Sequence, residues 1–541
     1  MDALYYGDNL HVLREHIKDE SVDLIYLDPP FNSKRDYNLL FKSPKGHESD
    51  AQITAFEDSW HWGAQAEAEF AELLHQSNTD VAQMMQALRA FLGENDMMAY
   101  LTMMANRLLE LHRVLKPTGS LYLHCDPTAS HYLKVVLDGV FGKEAFRNEI
   151  TWKRSSPHND PQNRFGRVSD IILFYAKTSK NAFNKIFTPY SAEYISSEWH
   201  LLPSGRYYKA ENMLDPQNKM KDFDFMGTSA RWRTDYDKML ALWNMPQTEV
   251  PNSHGRIKLG KNGNPIKRCR IVFLDESPGV AVQDFWDDIS YIAGGAGESL
   301  GYPTQKPLAL LERIIQASSN EGDIVLDPFC GCGTAVHAAQ KLGRKWIGID
   351  ITHLAVSLIE KRLRDAFPGI KFEVHGTPKD LDGARDLATR DKYQFQWWAC
   401  SLVDAQPYQG KKKGADSGID GLIFFQDDRE AAKKIVVSVK GGENVSVAMV
   451  RDLAHVVERE KASIGLFVTL AEPTKPMVAE AATTGFYESP TGSSFPKVQI
   501  LTIEGLLSGR EQARYPDLTR GGLTFKKAKV EKGRTGQADL F

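Results

Sequence analysis

An apolar run that ends in an acid and a glycine-rich turn sets the architecture of this chain: Ile324-Val325-Leu326-Asp327-Pro328-Phe329-Cys330-Gly331-Cys332-Gly333-Thr334. The apolar run is short enough for a buried strand. The two glycines of the turn let backbone N–H groups approach a ligand closely, and the threonine opens a helix. The segment therefore predicts a strand, a ligand-binding turn and a helix, in that order.

The residues that follow complete a strand-helix-strand unit. Gly343 ends the predicted helix, Lys345 to Gly348 forms the next strand, and Asp350 stands at its end, 23 residues after Asp327. That spacing is near the ~20 residues expected for an acid that binds ribose hydroxyls. A phosphate site is disfavoured, because the turn lacks a Gly-Lys-Ser/Thr ending and Asp327 would repel a pyrophosphate. Asp327 suits a cationic amino-acid head instead.

A second apolar run, Val22 to Leu27, ends at Asp28-Pro29-Pro30-Phe31. In an open α/β sheet, ligands bind beyond the carboxyl ends of the strands. The prolines fix the backbone and leave carbonyl acceptors, and Phe31 adds a flat face. This corner suits a nucleobase whose exocyclic amine points at Asp28 and at the Pro29 carbonyl. Taken alone, it also fits a plain strand that ends in a proline turn.

Strands and helices alternate between these two runs. Met97 to Leu115 is strongly periodic and predicts a helix, Gly119 to His124 a strand, Tyr132 to Phe141 a helix, and Asp170 to Tyr175 a strand. Strands that alternate with helices of ten or more residues indicate a doubly wound, mostly parallel α/β sheet.

The composition is that of a soluble protein with several domains. The chain has 541 residues, of which 42% are hydrophobic and 25% charged. That length suffices for two or more domains, and no apolar run approaches the ~18 residues of a membrane helix. Five scattered cysteines predict no disulfide framework, and no signal segment is expected at the start. With a net charge of −4, any surface for nucleic acid must be local.

A basic, aromatic segment interrupts the alternation between Thr151 and Asp275. It holds 20 lysines and arginines against 12 acids. Basic residues contact phosphates, while aromatic side chains stack on bases or wedge between them. We predict DNA target recognition here, with a solvated irregular insertion as the alternative. The interleaved aromatic residues are Trp199, Tyr207, Tyr208, Phe223, Phe225, Trp232 and Trp243.

Three segments together resemble the motifs of amino-methylating DNA methyltransferases: Asp28 to Phe31, Gly301-Tyr302-Pro303-Thr304-Gln305-Lys306-Pro307, and Asp327 to Thr334. The catalytic motif precedes the basic segment and the cofactor turn follows it, an order that resembles the beta class over residues 1 to about 385. The resemblance implies a Rossmann-like methyltransferase sheet, S-adenosylmethionine as cofactor and double-stranded DNA as partner. It also implies a cytoplasmic, nucleoid-associated protein of a prokaryote, with no membrane partner.

The resemblance also assigns the residues of the site. Four residues are implied to be catalytic: Asp28, Pro29, Pro30 and Phe31. The implied cofactor-binding residues are Asp8, Asp28, Thr304, Gln305, Lys306, Asp327, Phe329, Gly331, Gly333, Thr334 and Asp350. No metal is expected in this site.

The expected reaction is direct methyl transfer to an exocyclic amine of a flipped base. No cysteine follows a proline in the pattern that carbon-5 methylation of cytosine would use. Asp28, rather than serine, resembles the enzymes for adenine N6 more than those for cytosine N4, which stay an alternative. A defence scaffold that binds DNA and holds S-adenosylmethionine without turnover is a second alternative. Either form would fit a restriction-modification or phage-defence system.

Past Ala384 the sequence predicts a smaller α/β domain. Asp420 precedes the strand Leu422 to Phe425, and Lys440 closes the strand Ile435 to Val439. An acid and an x-x-Lys on adjacent strands can bring Mg²⁺ and a lysine to a phosphodiester. The segment resembles the Mrr-like branch of the PD-(D/E)xK restriction endonucleases, which implies Mg²⁺ at Asp420. Ser438 departs from the family's usual acid or glutamine and is a feeble Mg²⁺ ligand. A weakened nuclease, a DNA-binding relic and a working fused methyltransferase-endonuclease are the three alternatives.

The last residues are basic and predicted to be partly disordered. They end in Gln537-Ala538-Asp539-Leu540-Phe541, and this pentapeptide resembles the ligand motif of bacterial sliding clamps. Gln537, Leu540 and Phe541 are therefore candidate contacts to a clamp. The insertion after the catalytic corner is predicted to be a packed helical hairpin, with a lid over DNA or a homodimer contact as alternatives.

These observations divide the chain into five predicted segments. They are a catalytic half at 1–180 with an insertion at about 32–96, a target-recognition region at 181–295, a cofactor-binding half at 296–385, a nuclease-like domain at 386–510, and a basic flexible tail at 511–541.

Overall fold

The computed structural model describes the chain except residues 1, 31–35, 43–47, 58–59, 77, 157–162, 164, 213–222, 226–227, 233–234, 245–256, 260–264, 268, 294–296, 303, 409–417, 429–431, 520–522 and 532–541. It divides into two compact units, Met1–Asn184 with Asp284–Arg534, and Lys185–Gln283. Among the described residues, no helix combines the length and the apolarity needed to cross a membrane.

The N-terminal part of the first unit supplies the corner at Asp28 and the helices that pack beside β2. Asp8, Asn78 and Asn95 accept hydrogen bonds from first-turn backbone N–H groups, and so begin three of these helices. Its elements are β1 (Ala3–Tyr6), α1 (Asn9–His16), β2 (Val22–Leu27), β3 (Asp36–Lys42), β4 (Glu48–Glu57), α2 (Ala64–Leu74), α3 (Thr79–Leu92), α4 (Asp96–Val114), β5 (Leu115–Cys125), α5 (Ser130–Phe141), β6 (Phe146–Lys153) and β7 (Ser169–Ala176).

The second unit is built from short strands and two helices, as its low apolar periodicity suggests. Phe225, Trp232 and Met239 form a small buried cluster of its own. Its described elements are β8 (Phe187–Thr188), α6 (Ala192–Glu198), β9 (His200–Leu201), β10 (Tyr207–Asn212), β11 (Phe223–Phe225), β12 (Thr228–Ala230), α7 (Tyr236–Asn244), β13 (Ile257–Leu259), β14 (Pro265–Lys267), β15 (Cys269–Phe273) and β16 (Val280–Ala281).

The chain then returns to the first unit and builds the glycine turn. Gly333 has a left-handed φ of 75° at the start of α9, where a Cβ would lie 2.9 Å from Ile359. Only glycine suits that combination. The elements of this part are β17 (Phe285–Trp286), α8 (Leu308–Ser318), β18 (Ile324–Asp327), α9 (Thr334–Lys341), β19 (Lys345–Asp350), α10 (His353–Ala366) and β20 (Glu373–His375).

Nine strands form one sheet, in the order β17-β6-β7-β5-β2-β18-β19-β1-β20. The strands from β5 to β20 in that order are parallel, whereas β7 is antiparallel to both β5 and β6. Helices α1, α4 and α5 contribute to the core cluster that covers Ile25 and Leu27 of β2. The predicted Rossmann-like α/β class is thereby confirmed.

This topology decides where ligands can be bound. β2 and β18 are direct neighbours although the sequence places them at opposite ends of the methyltransferase-like region. Because both strands run in the same direction, Asp28 and Asp327 emerge at the same edge of the sheet.

The C-terminal domain has a second, five-stranded sheet in the order β21-β22-β23-β24-β27. β22 is antiparallel to both β21 and β23, whereas β23, β24 and β27 run parallel to one another. The elements are α11 (Leu381–Arg390), α12 (Lys392–Ser401), β21 (Gln406–Pro407), β22 (Gly421–Phe425), β23 (Lys433–Lys440), α13 (Val447–Arg459), β24 (Ile464–Thr469), α14 (Lys475–Thr483), β25 (Phe486–Glu488), β26 (Ser494–Pro496), β27 (Val498–Thr502) and α15 (Ile503–Leu507).

The predicted flexible tail is packed over much of its described length. Leu518 donates its backbone N–H to the Gln426 carbonyl, and the buried Thr524 side chain bonds to both backbone groups of Phe424. These contacts attach part of the segment from residue 511 onward to β22, and the flexibility of that segment stays a prediction. The net basic charge of the tail hid the apolar and hydroxyl contacts that hold it.

Candidate active site

Carboxylates converge at the carboxyl edge of the large sheet. Asp28 follows β2, Asp327 ends β18 and Asp350 ends β19, and the three strands lie in adjacent or next-adjacent positions. Tyr6 of β1 is in register with Asp350, which brings the following Gly7-Asp8 turn to the same edge. The structure thus brings together acids that are separated by up to several hundred residues in sequence.

Asp28 and Lys306 form the central ion pair of this edge. Lys306 is 8% exposed, and its Nζ donates to Asp28 Oδ2. The other oxygen, Oδ1, is buried and has no hydrogen-bond partner among the described residues. A buried carboxylate oxygen without a donor is costly, so this atom is poised to accept a hydrogen bond from a ligand.

The loop that carries Lys306 is fixed from both sides. Thr304 has a left-handed φ of 62°, which is uncommon for a β-branched residue and indicates local strain. The Gln305 side chain bonds within its own loop, donating to the Glu298 carbonyl at 2.9 Å and accepting from the Leu300 N–H at 2.8 Å. Both polar ends of the Gln305 side chain are thus engaged within this loop, and its predicted role in cofactor binding stays a prediction.

Asp327 is 3% exposed and lies beside two other carboxylates. Burial, followed by the nearby charges of Asp28 and Asp350, holds the pKa of Asp327 well above its ordinary value. The backbone N–H of Phe329 donates to its Oδ1 at 3.0 Å. A cationic ligand group at this position would relieve the repulsion.

Asp350 ties the glycine turn to β19. Its Oδ2 accepts from the Gly331 N–H at 2.9 Å, and its Oδ1 accepts from the N–H and the hydroxyl of Thr352, both at 2.9 Å. Burial raises its pKa to about 6, while these hydrogen bonds oppose the shift. The next residue, Ile351, is 58% exposed and gives an apolar face beside the acid.

Asp8 is held by an arginine that the sequence did not single out. Buried Arg107 of α4 donates to Asp8 Oδ2 at 2.7 Å and to Asn9 Oδ1 at 2.5 Å. Asn9 in turn donates to the Pro328 carbonyl of the glycine turn at 2.8 Å. The available signal was an arginine at a buried position of α4, among mostly apolar residues.

A buried polar chain lies next to Asp28 and was also missed. Tyr26 Oη is 3.1 Å from His124 Nδ1, and His124 Nε2 is 3.2 Å from Asp170 Oδ2. Burial, followed by the charges of Asp28, Asp327 and Asp170, keeps the pKa of Tyr26 well above 10. Arg154 pairs with the second oxygen of Asp170 at 3.2 Å.

Some predicted site residues bond to other side chains of the protein, and some fall outside the described chain. Thr334 is buried, and its hydroxyl accepts from Arg362 at 3.0 Å. Phe31 and the clamp candidates Gln537, Leu540 and Phe541 fall outside the described residues. Pro29 is buried and Pro30 half-buried at the corner after β2.

The C-terminal domain presents Asp420 in a closed arrangement. Its Oδ1 accepts from Gln396 Nε2 at 3.0 Å, and its Oδ2 accepts from the Val439 N–H at 2.7 Å. Ser438 is buried on β23, and Lys440 ends that strand. Within the described ranges, which omit 409–417, no group of three or more His, Cys, Asp or Glu residues could hold a metal ion.

Comparison with known families and proteins gives two matched regions. Residues 22–361 match the DNA methylase family of N6/N4 methyltransferases. Residues 401–507 match the family described as NACHT-associated inactive Restriction Endonuclease 1. Neither match covers the first 21 residues or the segment after residue 507.

Three curated proteins illustrate the similarity. The chain is 32% identical over 266 residues to the type II methyltransferase M.EcaI of Enterobacter cloacae, covering 49% of this chain and 57% of that protein. It is 26% identical over 351 residues to the Mod subunit of the type III restriction-modification enzyme StyLTI of Salmonella typhimurium, covering 63% and 50%. It is 25% identical over 362 residues to the DNA adenine methyltransferase YhdJ of Escherichia coli K12, covering 67% and 82%. The chain thus spans about half the length of the first two relatives.

Proposed function

The chain belongs to the N6/N4 DNA methylase family, and from this premise we propose that it transfers the methyl group of S-adenosylmethionine to the N6 amine of adenine in duplex DNA. In this reaction, Asp28, Pro29, Pro30 and Phe31 form the catalytic motif. Residues 181–295 are the region that reads the target. A cytosine-N4 amine is the alternative acceptor.

The observation that carries the proposal is the state of the Asp28 carboxylate. Lys306 occupies Oδ2 and fixes the side chain, while Oδ1 is buried without a partner among the described residues. An exocyclic amine donates hydrogen bonds and would satisfy this atom. Accepting from the amine localises its lone pair and aims it, which is the positioning that an in-line displacement requires.

The residues at this edge fit S-adenosylmethionine. Asp327 would bind the cationic amino-acid head, Asp350 the ribose hydroxyls, and Ile351 the adenine ring. When bound, the cofactor supplies an activated methyl group on a sulfonium. The glycine turn leaves room for close backbone approach, and Gly331 contacts the Tyr302 ring, where an added Cβ would lie 3.3 Å from the ring.

Two considerations favour adenine over cytosine. Asp28 rather than serine resembles the adenine-N6 enzymes, and one relative that the chain covers to 82% of its length is described as a DNA adenine methyltransferase. The target base has to leave the stack to reach the buried Oδ1 atom of the half-buried Asp28, so we also propose base flipping.

We further propose that the C-terminal domain contacts DNA without cleaving it. Both Asp420 oxygens already accept hydrogen bonds from Gln396 and Val439, and Ser438 replaces the second acidic ligand. The match to an inactive restriction endonuclease family supports the same conclusion.

The acceptor base is tested by nucleoside analysis. Unmethylated genomic DNA is incubated with the protein and methyl-deuterated S-adenosylmethionine, digested to nucleosides and analysed by mass spectrometry. The proposal expects label in N6-methyladenine. Label in N4-methylcytosine would show that cytosine is the acceptor base instead. If neither nucleoside carries label, the proposal is refuted.

A further inference from the structure

A segment outside both matched regions packs behind the glycine turn. Residues 523–531 follow the C-terminal domain, where Thr524 bonds to the backbone of Phe424 on β22. At the other end of the segment, the Glu531 N–H donates to the Ala366 carbonyl at the end of α10 at 2.9 Å. The segment therefore joins the C-terminal domain to the helix that supports the cofactor turn.

A continuous line of hydrogen bonds runs from this segment to the turn. Arg362 Nη1 donates to the Cys332 carbonyl and to Thr334 Oγ1, both at 3.0 Å. Arg362 Nε donates to His337 Nδ1 at 3.1 Å, and His337 Nε2 lies 3.0 Å from Glu531 Oε1. Arg362 and His337 are each 4% exposed, so water cannot readily replace these partners.

The donors and acceptors in this line of hydrogen bonds allow one tautomer of His337. A guanidinium only donates, so His337 Nδ1 has to accept and its proton has to reside on Nε2. Burial and the charge of Arg362 lower the pKa of His337 to about 4, against the opposing effect of Glu531, so the ring is neutral at pH 7. Glu531 is the acceptor that holds the proton on Nε2. Lys341 pairs with Glu531 and Glu312 and keeps the carboxylate in place.

Loss of the Glu531 acceptor would reach the turn through the imidazole. With no acceptor at Nε2, the buried His337 N–H is left without a hydrogen bond, and the ring is no longer held in the position from which Nδ1 accepts from Arg362. Arg362 would then shift, and it holds the carbonyl of Cys332 on one side of Gly333 and the hydroxyl of Thr334 on the other. The peptide planes of the glycine turn depend on both contacts.

We propose that Glu531 is a positioning residue that sets the affinity of the glycine turn for S-adenosylmethionine by fixing His337 and Arg362. This inference rests on the proposed function of the turn. Residue Glu531 would then support the cofactor site, although its segment follows the C-terminal domain in sequence.

The test measures cofactor affinity on the full-length protein by isothermal titration calorimetry with S-adenosylmethionine. Glu531→Ala should raise the Kd about tenfold, because a hydrogen bond to a charged acceptor is lost. Glu531→Gln keeps an oxygen that accepts from Nε2 and should stay within about twofold of the wild type. Lys529→Ala, an exposed change in the same segment, should leave the Kd unchanged. At saturating cofactor, kcat should be the same for all four proteins.

A second comparison, of Arg362→Lys with and without Glu531→Ala, distinguishes positioning of the turn from a general loss of stability. In an Arg362→Lys background the line is already broken, so Glu531→Ala should change the Kd by less than about twofold. An unaltered Kd in Glu531→Ala with a lowered Tm would overturn the inference, as would an equal loss in Glu531→Gln. If the wild type itself does not bind S-adenosylmethionine, the proposed function fails as well. Wild-type binding with an insensitive Glu531 refutes only the inference.

Discussion

At the scale of single residues, the account depends on the pair formed by Asp28 and Lys306. The lysine donates to one carboxylate oxygen, and the other has no hydrogen-bond partner among the described residues, where we propose that the substrate amine binds. Lys306→Met should lower kcat by about 100-fold, because the carboxylate is no longer held in one orientation. Single-turnover methyl transfer to DNA measures this, and calorimetry should show that cofactor affinity changes much less. A Kd that collapses with unchanged kcat would instead make Lys306 a cofactor ligand.

From the raised pKa of Asp350 we expect cofactor affinity and folding stability to depend on pH in opposite directions. Burial raises its pKa to about 6. The ionised carboxylate is the better acceptor for ribose hydroxyls, so affinity for S-adenosylmethionine should fall as the pH drops from 7 to 5. The free protein should behave in the opposite way, because a raised pKa means that protonation favours the folded state. This group's stabilising contribution is complete below pH about 4 and is lost as the pH rises through about 6.

Asp350→Asn separates these effects. Its cofactor Kd and its unfolding free energy should both vary less with pH between 5 and 7 than those of the wild type, and the pH dependence that remains belongs to other groups such as Asp327, whose pKa burial also raises. Calorimetric titrations and urea unfolding at matched pH values give the two readouts. An affinity that varies with pH as strongly in the variant as in the wild type would contradict the assignment.

At the scale of elements, α4 connects the hydrophobic core to the glycine turn through Arg107 and Asn9. Arg107→Met should cost about 2 kcal/mol of stability, since Asp8 and Asn9 lose a buried donor. It should also weaken S-adenosylmethionine binding, because Asn9 holds the Pro328 carbonyl. Urea unfolding and calorimetry measure the two effects.

Arg113→Met on the same helix is the matched control. Arg113 bonds to Glu110 and Asp19, and to the Leu13 carbonyl at 2.7 Å, away from the turn. It should lose stability while its affinity for the cofactor stays at the wild-type value. Equal affinities in both variants would show that α4 has no connection to the site.

The sequence predicted the sheet and the acids at its edge because both depend on local patterns. Apolar runs that end in Asp28 and Asp327 identify strands, and parallel strands place their carboxyl ends together. The partners of these acids were not predictable in the same way. Arg107, Arg362 and Glu531 are contacts between distant elements, and no periodicity or motif signals which acid an arginine will meet.

At the scale of the whole molecule, the C-terminal domain is combined with a methyltransferase fold without a complete nuclease site among the described residues. We expect no cleavage of unmethylated plasmid DNA in Mg²⁺ by the wild type, as followed by gel electrophoresis. Asp420→Ala should lower stability, because the carboxylate joins α12 to β23. Mg²⁺-dependent nicking that disappears in Asp420→Ala would instead establish an active nuclease.

We propose that Asp28 positions the amine of an extruded base beside the cofactor held at the glycine turn. The most direct measurement is transfer of tritium from labelled S-adenosylmethionine to unmethylated duplex DNA by the wild type and by Asp28→Ala, with calorimetry to verify that both proteins bind the cofactor. We expect stable incorporation by the wild type, none above background by Asp28→Ala, and similar cofactor affinity for both proteins. Incorporation that persists in a cofactor-bound Asp28→Ala protein would contradict this proposal.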